Sequence, residues 1–200
     1  MFQQELSVFI LAGGHSIRMG SDKGLVLLNQ KPMIQYVVDL AHFFSVDIHI
    51  VSNQDGYAKF GLPVLSDKIP DLGPAGGINT VLGYSQARKN LVLVCDMPFL
   101  KMQTVQHLLE KSLSFDISHF SVGEWIHPFP LVITSSCADQ WNELLQSGYR
   151  KLQDIFQHFA VQALDAEREL LHAPDQFQNI NDSEALKSAE LSMRSKESRS

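Results

Sequence analysis

The segments Leu6–Leu11 and Asn90–Cys95 carry apolar side chains almost without interruption, where a half-exposed strand would alternate apolar with polar. A strand of that kind must be covered on both faces, which is the situation in a parallel sheet flanked by helices. Between these runs the spacing turns helical. Residues 32–44 read as a helix opened by Pro32, with Met33, Ile34, Val37, Val38 and Ala41 on one face. Residues 46–52 and 62–65 read as two more strands, and 75–87 as the helix leading into Asn90–Cys95. The pattern continues with a helix over 102–113, extended chain over 115–120, a strand over 130–133 and an amphipathic helix over 135–146 ended by Gly148. A helix over 149–159, a short strand over 161–164 and a last helix capped by Asp182 complete it. Strands interposed with helices predict an α/β fold: a single doubly wound domain with a mostly parallel sheet and helices on both faces. That domain is expected to cover residues 1–187. The segment 188–200, polar and without an apolar stripe, is expected to be a disordered tail.

Composition narrows the function classes. With 44% hydrophobic and 19% charged residues the chain has globular composition, and its net charge of −6 argues against general nucleic-acid binding. A local basic cluster could still hold a phosphate. Cys95 and Cys137 stand far apart in no metal-like spacing. No apolar stretch approaches the length of a membrane span. A cytoplasmic protein without a membrane partner is the expectation.

The densest functional signal lies directly after the first strand, in Leu-Ala-Gly-Gly-His-Ser-Ile-Arg-Met-Gly-Ser-Asp-Lys-Gly at 11–24. Glycines let main-chain N–H groups approach a phosphate with no Cβ in the way. Arg18 offers a planar fork and Lys23 a compact point charge, together suited to a polyphosphate. The order of residues is not that of a Walker A loop, and the adjacent Gly13 and Gly14 do not make the spaced dinucleotide fingerprint. Glycine alone would be explained by a simple turn; Arg18 and Lys23 move the reading to phosphate.

Asp96 follows the strand 90–95 directly, in Cys-Asp-Met-Pro-Phe. Ligands of open α/β sheets gather beyond the carboxyl ends of strands, so Asp96 is expected to face the same crevice as the glycine loop. A carboxylate beside a triphosphate calls for a cation between them, and Mg2+ commonly takes one or two carboxylates plus phosphate oxygens. The alternative is an Asp that caps the following helix. Asp67 occupies the equivalent place after the third strand, where a nucleotide contact and a surface turn are both open. Gly73-Pro74-Ala75-Gly76-Gly77 either brings backbone close to base or ribose or merely begins a helix.

Taken together, these segments resemble the molybdenum cofactor guanylyltransferases. That family's opening motif, Leu-Ala-Gly-Gly-x-Ser-x-Arg-Met-Gly-x-Asp-Lys, is matched by residues 11–23 at every specified position. Lys31-Pro32-Met33, Asp67, Gly73–Gly77, Cys95–Phe99, His127-Pro128, Gly148–Lys151 and Asn179-Ile180-Asn181 resemble further family segments in the same order, so the likeness spans residues 6 to about 187. Ala75-Gly76 departs from the family's usual Leu-Ala. Ala12-Gly13-Gly14 and Cys95-Asp96 side with the guanine enzymes and not with the cytidylyltransferases of the same cofactor.

The resemblance implies a Rossmann-like nucleotidyltransferase fold and a Mg2+-dependent transfer of GMP from GTP to molybdopterin-bound molybdenum, with release of pyrophosphate. It implies GTP contacts at Leu11, Ala12, Gly13, Gly14, Lys23, Asn53, Asp67 and Asp96, with Asp96 also the metal ligand. Arg18, Lys23 and Asp96 would carry the chemistry. Arg18, Arg150, Asn179 and Asn181 are its candidates for the molybdopterin side. Molybdoenzymes or cofactor-delivery proteins are the further partners it suggests, for a monomer or weak oligomer. A cytidylyltransferase and a nucleotide-binding regulator without turnover are the competing readings. His127 either meets a pterin phosphate or packs ahead of Pro128, and Trp125 and Trp141 are expected to make apolar contacts.

Overall fold

The computed structural model describes residues 5–13, 22–67 and 72–197. The first apolar run forms β1 (Leu6–Leu11). A small antiparallel hairpin, β2 (Leu27–Leu28) and β3 (Lys31–Pro32), leads into helix α1 (Met33–Ala41). Then come β4 (Ile48–Val51), β5 (Val64–Leu65), α2 (Gly73–Tyr84) and β6 (Lys89–Val94). The second half runs α3 (Met102–Lys111), β7 (Ile117–Val122), β8 (Trp125–Thr134), α4 (Ala138–Gln146) and α5 (Leu152–Phe156). It ends with β9 (Val161–Asp165), α6 (Glu167–His172) and α7 (Ser183–Glu197).

Seven strands form one sheet in the order β5-β4-β1-β6-β8-β7-β9. All neighbours are parallel except β8, which runs against both β6 and β7. The mostly parallel α/β sheet expected from the continuous apolar runs is the one observed: Val8, Phe9 and Ile10 of β1 and Leu91 and Val92 of β6 are fully buried. Successive strand residues face opposite sides, so β7 reports how the helices are shared out. His119 stacks on Phe156 of α5, which also meets Trp141 of α4, and Trp141 in turn donates its Nε1–H to the Ala75 carbonyl of α2. Phe120, next along the strand, instead meets His107 of α3 and Phe177. Helices therefore cover both faces, with α2, α4 and α5 together and α3 opposite. The β1-to-β4 and β5-to-β6 crossovers move in opposite directions along the sheet, and right-handed connections then put α1 across from α2.

Register sets up the site. Leu11 lies level with Val51 of β4 and with Val94 of β6, and Val51 lies level with Leu65 of β5. Four parallel strands thus end on one line, and the residues two positions beyond their ends are Gly13, Asn53, Asp67 and Asp96.

Three sequence expectations need correction. The strand expected over 130–133 extends from Trp125 to Thr134, paired with β7 across a turn at Gly123, whose φ of +55° favours glycine. Pro128 and Pro130 hid its first half, because proline cannot donate to a ladder and reads as a strand breaker; β6 pairs only from Leu131 onward, and the β7 ladder shifts register beside the prolines. The β2–β3 hairpin and α6 went unanticipated, being too short for periodicity to register. Last, the tail does not lose structure at 188. Helix α7 continues to Glu197, and Ala189 is buried with Leu28, Met33 and Ile180, with Ala185, Leu186 and Met193 packed beside them. A stripe of alanines and single apolar residues is enough to seat this helix against the hairpin.

Candidate active site

The level strand ends open into a cavity of about 490 Å3 lined by Leu11, Ala12, Gly13, Lys23, Val51, Asn53, Gln54, Asp67, Gly73, Pro74, Gly77, Val94, Cys95 and Asp96. A volume of this size suits a nucleotide-sized ligand. Backbone ties hold the strand ends together: the Ala12 N–H donates to the Val51 carbonyl, Ser52 to Leu65, and Cys95 to Leu11. Gly13 sits at φ +123°, with the Ser52 hydroxyl 3.3 Å from where a Cβ would be, so both conformation and space select glycine. Gly77 has the same spatial reason, since a Cβ there would stand 3.1–3.2 Å from the Leu11 methyls. Helix α2 starts at this cavity with Gly73 and Pro74, and so presents its first N–H groups and positive dipole end to whatever occupies it.

Charged groups meet at one end. Lys23 belongs to a short 3-10 turn (Lys23–Leu25) capped by Asp22. Its Nζ donates to Asn181 Oδ1 at 2.5 Å and lies 3.8 Å from Asp96 Oδ2. The Ile180 N–H donates to the Asp96 carbonyl at 2.9 Å, which pins the Asn179–Asn181 segment against the end of β6. Burial raises the Asp96 carboxyl above the ordinary aspartate value, and the nearby Lys23 ammonium opposes the rise only in part. At the other end, the Asn53 side-chain oxygen accepts the Asp67 N–H at 2.7 Å, and the Thr80 hydroxyl donates to Asp67 Oδ1 at 3.1 Å. Burial raises the Asp67 carboxyl too, against that hydrogen bond.

The fold thus gathers Leu11, Ala12, Gly13, Lys23, Asn53, Asp67 and Asp96 from the expected set, and brings Asn181 to Lys23 with Asn179 two residues away. Gly14 and Arg18 lie outside the described residues. Arg150 does not line the cavity; its Nη1 donates to the carbonyls of Leu145 and Tyr149 at the end of α4. Gly73, Pro74 and Gly77 of the glycine segment also line the cavity, whereas Val51, Gln54 and Val94 line it without having been singled out, and only register reveals the strand-end members of that group. His127 stacks on Phe177 at 4.9 Å, consistent with its packing role, and burial depresses its basicity. Trp141 is fully buried and Trp125 is 80% exposed. Cys95 is buried, and that burial raises its thiol well above the ordinary range, as suits an inert wall residue. A larger cavity, about 650 Å3, lies between α3 and α6, but helix side chains such as Thr104, His107 and Glu169 line it, with no strand end or glycine backbone. Size alone does not locate the chemistry here.

The family model described as the MobA-like NTP transferase domain matches residues 8–165. The chain belongs to this family. The MobA-like chain is 34% identical over 185 residues to the molybdenum cofactor guanylyltransferase of Shewanella baltica (strain OS155), an alignment covering 88% of this chain and 91% of the relative. It is 35% identical over 183 residues to the protein of the same name from Shewanella woodyi, with the same coverage. Among solved structures, molybdopterin-guanine dinucleotide biosynthesis protein A from Archaeoglobus fulgidus superposes with a TM-score of 0.80 at 23% identity, covering 94% of this chain and 99% of that one. At that identity the structural likeness establishes the α/β nucleotidyltransferase fold. Among the described residues, no helix is long and apolar enough to cross a membrane.

Proposed function

We propose that this MobA-like nucleotidyltransferase transfers GMP from GTP to the terminal phosphate of molybdopterin-bound molybdenum, with pyrophosphate released. The observation that carries the reading is the meeting of Lys23, Asp96 and Asn181 at one end of a cavity whose other end holds Asn53 and Asp67. The names borne by relatives at 34–35% identity give that arrangement its substrates.

A phosphate oxygen of the cofactor attacks the α-phosphorus of GTP. The new P–O bond forms as the bond from the α-phosphorus to the bridging oxygen breaks, and pyrophosphate leaves with the electron pair. The attacking phosphate is already ionised at neutral pH, so the protein needs no nucleophile of its own. Its work is positioning and charge stabilisation. Lys23, with Arg18 as its proposed partner, neutralises charge growing on the pyrophosphate. Asn53, Asp67 and the backbone at Gly73–Gly77 hold the nucleoside. Asn179, Asn181 and Arg150 are proposed for the cofactor side.

Asp96, a hard oxygen donor at the strand end, would hold Mg2+, with Asp67 the second carboxylate bordering the cavity. Mg2+ bound there supplies Lewis-acid polarisation of the phosphoryl group and a template for both substrates. Such ions commonly bind through one or two carboxylates completed by substrate phosphates, which fits a donor set of this kind. The unpaired Cys95 and Cys137 suit a reducing compartment, and we place the reaction in the cytoplasm.

The test is nucleotide incorporation into molybdopterin-bound molybdenum, with GTP and CTP compared in Mg2+ and in chelator. GMP transfer that needs both Mg2+ and Asp96 is the expected result. Preferential CMP transfer would overturn the base assignment. Tight GTP binding without transfer of either nucleotide would make the protein a regulator.

A further inference from the structure

Lys23 is held by more than its own contacts. The residue before it, Asp22, caps the turn Lys23–Leu25, with Oδ1 accepting the Gly24 N–H at 3.1 Å. The same oxygen accepts a hydrogen bond from the Tyr57 hydroxyl, across 35 residues of sequence. Tyr57 is fully buried in the connection from β4 to β5, four residues after Asn53. The fit is close: a Cβ on Gly24 would stand 2.5 Å from the Tyr57 hydroxyl oxygen. Burial, reinforced by the neighbouring Cys95 and by the bond to Asp22, holds the phenol far above its ordinary ionisation range, so it stays a donor. A buried hydroxyl spent on a capping carboxylate is a costly arrangement for apolar packing alone, since phenylalanine would fill the same space without a polar group to satisfy.

We propose that Tyr57 is a positioning residue for Lys23: through Asp22 it sets the turn that aims the ammonium, and so ties the nucleoside end of the cavity to the phosphate end. The proposal rests on the reading that Lys23 contacts the triphosphate. Tyr57 touches neither substrate; it acts through the turn.

The experiment is a double-mutant cycle of Tyr57→Phe with Lys23→Ala, read both as GTP affinity by calorimetry and as kcat/KM for GMP transfer. Tyr57→Phe keeps the ring and removes the hydroxyl. Expected is a loss of about tenfold in both readouts with Lys23 present, and no further loss once Lys23 is alanine. An equal loss in both backgrounds, or none in either, overturns the role. Should Tyr57→Phe not fold, Asp22→Ala breaks the same link and is read in the same cycle. Asp22→Asn, which keeps an acceptor oxygen, should recover most of the loss, whereas a purely structural contribution would leave GTP affinity untouched in all three variants. A wild-type protein that binds GTP but transfers nothing overturns the transfer reading alone, because the cycle in GTP affinity still decides the role of Tyr57.

Discussion

In the half of the sheet made of β5, β4, β1 and β6, every strand points the same way and ends on one line; in the half made of β8, β7 and β9, the strand β8 runs against its neighbours. The consequence is a division of labour. Parallel strands all release the chain at one edge, so Gly13, Asn53, Asp67 and Asp96 reach the same crevice from four separate places in the sequence. Thr134 at the carboxyl end of β8 lies level with Lys89 at the start of β6, and therefore at the far edge. Packing is the main contribution of that half. Among the described residues, the returning segment Asn179–Asn181 meets the nucleotide end, where the Ile180 N–H donates to the Asp96 carbonyl.

The comparison breaks first at Asp96. Asp96→Asn should lower transfer by ~10²–10³ while raising the thermal midpoint at neutral pH. The sign follows from burial: the folded-state carboxyl titrates above its unfolded value, so its favourable contribution is complete only below the unfolded value and is lost as pH rises through the folded one. At neutral pH the charged form is a cost, and the neutral amide removes it. The stability gain should vanish in acid, where the wild-type carboxyl is itself protonated. A variant that is less stable at pH 7, measured by thermal melts across pH, would mean that Lys23 more than repays the burial.

Ile133→Ala, fully buried near the carboxyl end of β8, should do the reverse. It should cost about 2–5 kcal/mol of stability in denaturant titrations, with kcat per folded molecule unchanged. A fall in kcat at temperatures where the variant is fully folded would show that the antiparallel half tunes the site and does more than support it.

Gly77→Ala gives the smallest effect and sharpens the parallel half. Alanine gains roughly 0.5–1 kcal/mol of helix preference over glycine, but its Cβ would press the Leu11 methyls that wall the cavity. Those methyls end a flexible side chain, so Leu11 should yield towards the nucleotide. The expected outcome is a slightly higher melting temperature with a raised KM for GTP and little change in kcat. An unchanged KM would remove Leu11 from the nucleotide contact.

Much of this was legible along the chain, for definite reasons. Burial on both faces writes itself into consecutive apolar residues, so β1 and β6 could be read directly, β1 with its observed ends. The glycine loop and Asp96 declared themselves by lying immediately after those runs. Where a local rule conflicted with tertiary context the reading failed: Pro128 and Pro130 masked the start of β8, and a narrow stripe on α7 passed for a polar tail. Tyr57 gave no signal, because an aromatic residue between turns looks the same whether or not its hydroxyl has a partner.

Periodicity and motif order were enough to specify an α/β nucleotidyltransferase and most of its cavity, because secondary structure and strand-end motifs are encoded by neighbours within a few residues. They could not show that Lys23 meets Asn181, 158 residues away, or that Tyr57 holds Asp22. Those pairings depend on strand register and on the path by which the chain returns over the end of β6, and hydrogen bonds at such separations leave no local trace in composition or spacing.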